Sequence, residues 1–261
     1  MKKHSKAKVV ERHRAEKIGK IFETTNFGPL KIVGYEGAYN VTVEFINTGT
    51  LVSDVQMAHI NRGLVRDENL PILYGKCFLG TGKYKSKRNG KDAIEYSVWK
   101  QVLERCFNEV YKNKHPTYKE CVLNDKWENF QNFAEWYWTQ KGAGIKGWHL
   151  DKDLLVKGNK EYGPHTCCLL PSEVNKALML SVIGDKTTPV GTHQRPNGVF
   201  VVGLVGEQTK YVGCFSNDVS AFNAYKFAKE SHLNMLAERY KDQVEVKVYK
   251  SLYEFKIEIT D

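Results

Sequence analysis

The chain has 261 residues, 41% of them hydrophobic, enough for one large or two to three small packed domains and too apolar for global disorder. Its 39 Lys and Arg against 30 Asp and Glu leave a formal net charge of +9, which favours a polyanionic partner, nucleic acid first. No apolar run approaches the roughly 20 residues that span a bilayer, and the basic start MKKHSKAKVVERHRAEK lacks the apolar stretch of a secretory signal, so an intracellular protein without a membrane partner is expected.

Residues 1–20 carry Lys2, Lys3, Lys6, Lys8, Arg12, Arg14, Lys17 and Lys20 against Glu11 and Glu16, and are expected to form a poorly ordered basic arm. On DNA such an arm neutralises phosphates without reading sequence. Residues 21–84 are expected to form a small, strongly bent β-module of three or four strands. FGPLKIVGY and NVTVEFI alternate apolar and polar residues, Glu36-Gly37 and Asn47-Thr48-Gly49 are turns, and TLVSDVQMAHI follows. A turn-rich stretch then leads to Lys83, Lys85, Lys87, Arg88 and Lys91, a basic cluster suited to a linker or a phosphate-contacting loop.

Residues 85–185 open with a helix over Ala93–Lys112, in which Ile94, Val98, Val102, Cys106 and Val110 recur every four residues and Trp99, Leu103 and Phe107 widen the face. Pro116 prevents its continuation. A second helix is expected over Lys126–Gln140, and its stripe of Trp127, Phe130, Phe133, Ala134 and Tyr137 reads as core rather than as a base-stacking platform. WHLDKDLLV then reads as a strand, KGNKEYGPH as a loop, TCCLL as a short strand and SEVNKALML as a helix with Ser172 as its N-cap. The six cysteines contain no CxxC pair, and only Cys167 and Cys168 are close, so they are expected to be buried small hydrophobes rather than disulfides or a zinc site.

Residues 186–261 form a third unit. GVFVVGLVGEQTKYVGCFSN reads as two or three short antiparallel strands, and DVSAFNAYKFAKESHLNMLAERY as a helix whose Ala221, Ala224, Tyr225, Ala228, Leu233, Leu236 and Ala237 mostly face that sheet. The tail has room for a turn, a short helix and a final strand. The fold class is α+β.

Strand–loop–strand–helix is the order of a ββα site that holds one divalent ion against a scissile phosphate while a histidine activates water. Oxygen donors suit magnesium or manganese. The candidates are His149, Asp151 and Asp153, which share one face if the strand is regular, with Asn159, His165 and, at the helix start, Asn175.

HLDKDLLVKGNKEYGPHTCCLLPSEVN resembles the central block of the HNH endonuclease-like proteins encoded by phages, and WKQVLERCFN…YKECVLNDKWENFQNFAEW resembles the helical stretch before that block. GVFVV…YVGCFSNDVSAFNAYKFAKE resembles an AP2-type DNA-binding domain, and the N-terminal module resembles one found beside HNH blocks. The resemblance covers nearly the whole chain. It implies a protein of the host-cell cytoplasm that acts on double-stranded DNA as a monomer or dimer, with one Mg2+ or Mn2+ held by Asp151, Asp153 and Asn175. His193, Arg195, Lys210 and Tyr211 on the AP2-like sheet are the implied DNA readers.

One departure from the pattern matters: Lys152 stands where the catalytic histidine normally follows the metal-binding Asp, and a lysine at its ordinary pKa is a poor base near neutrality. Two functions follow. Either His149 or His165 supplies the base and the chain cuts or nicks DNA, or the fold is a catalytically silent platform that occupies DNA as a regulator or competitor. Each residue also has a plain structural reading: Asp151 and Asp153 paired with Lys152 or Lys157, His149 packed beside Trp148, His165 exposed in a turn, Asn175 bracing the helix.

Overall fold

The computed structural model describes residues 11–12, 14–180, 188–198, 200–204 and 210–261, so most of the expected basic arm lies outside the described residues. The chain divides into two compact units, residues 1–86 with 128–131 and residues 87–127 with 132–261.

The first unit is a four-stranded antiparallel meander: β1 (Ile21–Glu23), β2 (Pro29–Tyr35), β3 (Val41–Phe45) and β4 (Leu51–Val55), paired in chain order. Alternation works as read from the sequence. Leu30, Ile32, Val41, Val43 and Phe45 are fully buried, and the short helix α1 (Met57–Asn61) closes the core with Ile60. Gly49 turns at φ 69, a left-handed conformation that costs a residue without a Cβ little. In the irregular stretch that follows, Asp67 is tied to Thr48 and a single side chain, Gln131, braces the residues around Gly80. Gln131 donates from Nε2 to the carbonyls of Leu79, Gly80 and Tyr84 and accepts the Tyr84 N–H on Oε1.

The second unit opens with a two-stranded hairpin, β5 (Lys87–Arg88) and β6 (Lys91–Asp92), around Asn89-Gly90, both at positive φ. The expected long helix is two helices, α2 (Ile94–Phe107) and α3 (Glu109–Lys114). The break is at Asn108, whose Oδ1 accepts the Tyr111 N–H and so caps a new helix instead of continuing the old one. The buried face of α2 is Glu95, Trp99, Val102, Leu103 and Cys106, whereas Ile94 and Val110 are exposed, a shift from the four-residue spacing. The second expected helix is a 3-10 turn followed by α4 (Phe130–Thr139). Trp127, Phe130, Phe133, Ala134 and Tyr137 are all buried, which makes that stripe core.

Strand β7 (Val122–Leu123) runs parallel to β9 (Glu161–Tyr162), inside what the sequence suggests is a plain loop. Strand β8 (Trp148–Asp151) pairs antiparallel with β10 (Cys168–Pro171), and helix α5 (Ser172–Leu178) follows at once, a ββα unit. The N-cap of α5 is Pro171, not Ser172, and no side chain caps it.

Strands β11 (Thr192–Gln194), β12 (Phe200–Leu204) and β13 (Lys210–Phe215) form a three-stranded antiparallel sheet with β12 central. It packs on α6 (Asp218–Tyr240), whose first turn is capped by Asn217. Only the first part of α6 serves this sheet, since Ala221 and Tyr225 join Val202 in one core. Leu233, Leu236 and Ala237 pack instead with Leu170 and Val174 of the ββα unit and with Val248 and Leu252 of α7 (Val246–Tyr253). No strand follows α7: the expected final strand is irregular chain, and Ile257 is anchored to α6 through its N–H to Glu230 Oε1. All six cysteines are free, and five are buried. Among the described residues no helix is long and apolar enough to cross a membrane.

Candidate functional site

The ββα unit carries a cleft of about 470 Å³ whose lining includes His149 and Asp151 from β8, Asn175 from α5 and Arg105 from α2. Leu150 points into the core, so its neighbours His149 and Asp151 point out together, as strand alternation requires. Asn175 comes up one turn into α5, on the side opposite the buried Val174 and Ala177.

Strand β8 stops at Asp151, earlier than WHLDKDLLV suggests, because the Asp151 carboxylate turns the chain. Its Oδ1 accepts the backbone N–H of Asp153 at 3.0 Å and of Leu154 at 2.8 Å, an Asx turn that ends the ladder. Asp151 and Asp153 therefore do not share a strand face. Burial, with the charge of Asp153 adding to it, raises the Asp151 carboxyl above its ordinary range. Its Oδ2 has no protein hydrogen bond, and neither has the side chain of Asn175, among the described residues.

Lys152 is buried, and its ammonium lies 2.5 Å from Asp153 Oδ1 and 2.8 Å from the Asn159 carbonyl. The residue at the expected base position is thus a paired cation, and Asp153 is its counter-ion. Lys157 is paired with Asp261 rather than with Asp151 or Asp153. Asn159 is a loop brace: Nδ2 donates to the carbonyls of Lys152 and Glu161, and Oδ1 accepts the Glu161 N–H. His165 is exposed in the turn before β10 and does not line the cleft. Of the predicted chemistry-bearing residues, then, His149, Asp151 and Asn175 share the cleft with free polar groups, and the others are engaged or elsewhere.

Cys167 and Cys168 are buried beneath Asp151. Burial pushes the Cys167 thiol up to about 12 and the Cys168 thiol up as well, so neither is a thiolate at neutral pH. Among the described residues no three His, Cys, Asp or Glu side chains gather as a metal cage.

Two cleft residues escaped the sequence reading. Arg105 lies on α2 in one stripe with Val98 and Val102, and a cation at i+7 of an apolar stripe is the signal that was available. Tyr162, almost wholly buried, accepts the Arg105 Nη1–H on its hydroxyl at 3.3 Å.

The predicted DNA contacts are dispersed. Lys83 and Lys85 are exposed in the first unit; Lys87, Arg88 and Lys91 are exposed on the β5–β6 hairpin of the second. Arg88 is engaged at 2.6 Å by the buried Glu95, whose Oε2 has no hydrogen-bond partner among the described residues. On the three-stranded sheet, Thr192 and Val202 are buried against α6, while His193 and Tyr211 are exposed on the outer face and Arg195 is exposed just past β11. Lys210 begins β13, and its side chain lies outside the described residues. No protein-family model, no curated protein and no solved structure matches this chain.

Proposed function

We propose that the chain binds double-stranded DNA and hydrolyses a phosphodiester at the ββα cleft, as a protein of the phage HNH endonuclease-like kind, with β11–β13 as an AP2-like reading sheet. One observation carries the proposal: a strand-to-helix junction brings His149, Asp151 and Asn175 into one cleft, where the His149 ring, Asp151 Oδ2 and the Asn175 amide have no hydrogen-bond partner among the described residues. The donor set suits one Mg2+ or Mn2+, since Asp151 Oδ2 and the Asn175 amide oxygen are hard ligands and water and phosphate complete such a shell. When bound, the ion offsets charge on the phosphoryl and leaving oxygens. His149, exposed beside Asp151, takes the proton of the attacking water, and Lys152 has no part in the step. The +9 charge and the exposed lysines of the hairpin supply sequence-independent affinity.

A second reading, a silent DNA-occupying relative, is favoured by the state of Lys152. Where a base is expected there is a buried ammonium with its own counter-ion. Supercoiled DNA incubated with purified protein and Mg2+ or Mn2+ separates the two. Metal-dependent nicking that disappears in Asp151→Ala and His149→Ala supports the enzyme, tight binding without nicking supports the second reading, and absence of salt-dependent binding overturns both.

A further inference from the structure

Arg105 is a cation held in place without a counter-charge among the described residues. Its guanidinium lies 5.3 Å from the Tyr118 ring centroid and 5.9 Å from that of Tyr162, and its one hydrogen bond goes to the Tyr162 hydroxyl. Five N–H donors are available on a guanidinium, so four have no acceptor among the described residues. Among the described residues no carboxylate lies within ion-pair distance of Arg105. The contrast with Arg88, paired with Glu95, and Arg239, paired with Glu173, is direct. The other cationic side chain of the cleft, Lys152, is neutralised by Asp153. Asp151 borders the same cleft yet makes no ion pair with Arg105, so among the described residues the cleft keeps one anchored positive group without a carboxylate partner beside its candidate catalytic residues.

A half-buried cation is costly to leave unpaired, and an aromatic bracket that fixes its plane prepares it for a planar, two-oxygen acceptor. We propose that Arg105 is the phosphate-binding residue of the cleft, engaging the non-bridging oxygens of a nucleic-acid phosphodiester, with Tyr118 and Tyr162 as positioning residues. The fork geometry of a guanidinium matches two phosphate oxygens, which a lysine does not. This rests on the DNA-binding reading above and names the group that meets the backbone at that site.

The test uses the full chain and a fluorescein-labelled DNA duplex, followed by anisotropy between about 50 and 200 mM NaCl. Arg105→Gln is expected to bind about tenfold more weakly, the loss of one charged hydrogen-bond pair, and to lower the slope of log K against log salt by about 0.9. Arg105→Lys should keep the slope and recover only part of the affinity. Because a bracketed side chain also contributes to packing, phenylglyoxal modification of the unaltered protein, read by mass spectrometry, is the second measurement. Saturating duplex should slow the reaction at Arg105. Unchanged affinity and slope in a folded Arg105→Gln, or a phenylglyoxal rate indifferent to duplex, overturns the assignment while leaving DNA binding intact. A wild-type chain without salt-dependent duplex binding overturns both.

Discussion

Lys152 and Asn159 hold each other across the turn that follows β8. The lysine ammonium donates to the Asn159 carbonyl, and the Asn159 amide donates to the Lys152 carbonyl, both at 2.8 Å. This reciprocal pair folds residues 152–159 back on themselves and fixes the loop between the two strands that carry the cleft.

Asn159 should therefore be a stability residue. Asn159→Ala removes two donated bonds and one accepted bond in a half-buried loop, an expected loss of about 2–3 kcal/mol. Urea unfolding followed by tryptophan fluorescence reads it directly.

Lys152→Met is expected to cost about 1–2 kcal/mol: the thioether keeps the buried volume and the largely exposed Asp153 returns to water, but the Asn159 carbonyl loses its ammonium donor. Lys152→Ala, which also vacates that volume, should cost about 2–4 kcal/mol. Neither should alter metal-dependent nicking if His149 is the base. A nicking rate that collapses in a stably folded Lys152→Met would return the lysine to the chemistry.

The raised carboxyl of Asp151 makes a pH prediction with a definite sign. The folded protein holds this proton more tightly than the unfolded chain, so the group's stabilising contribution is complete in acid and is lost as pH rises through its folded pKa. Asp151→Asn keeps the Oδ1 acceptor for the two backbone N–H groups. It should melt higher than wild type at neutral pH, and that advantage should fade below the ordinary carboxylate range. Thermal melts across pH check it.

Gly142 sits at φ 88 with the Trp148 ring 2.0 Å from where a Cβ would stand, so Gly142→Ala should cost about 2–4 kcal/mol and shift the start of β8. Gly147, at φ 85 with open space around it, is the control. Its alanine variant meets backbone strain alone, about 1–2 kcal/mol. Chemical denaturation of the two variants separates the terms.

The legible parts of the fold were those in which side-chain period and burial agree. β3, and β2 as far as Ile32, alternate because one face is core and the other is not, and a bulge before Gly34 puts Tyr35 back on the core face; the α4 stripe reads correctly for the same reason. The errors fall where a polar side chain overrides the local pattern. Asn108 breaks a helix that apolar spacing continues, and Asp151 ends a strand that alternation extends to Val156. The Asn89-Gly90 turn is a strong hairpin signal, masked because its flanks are charged rather than alternating. At the cleft, the strand–loop–strand–helix order and the resemblance point to Asp151, Asp153 and Asn175 together, and only the geometry separates Asp153, whose partner is the adjacent lysine. For Arg105 the apolar stripe of α2 shows a cation in line with Val98 and Val102, but that it meets tyrosines rather than a carboxylate depends on residues distant in sequence.

Among the described helices and strands, α6 is the element common to the sheet core and the ββα core, touching the first near Ala221 and the second near Ala237, with Phe255 of the tail packed against both. Sixteen residues at 1.5 Å make it a gauge of about 24 Å, set by a covalent count rather than by a flexible joint. One residue added between Tyr225 and Leu233 would swing the outer face bearing His193 and Tyr211 by about 100° around the cleft, and a four-residue insertion would nearly restore the heading about 6 Å farther away. Whatever the two surfaces engage, they must engage it in a phase that the length of this single helix dictates.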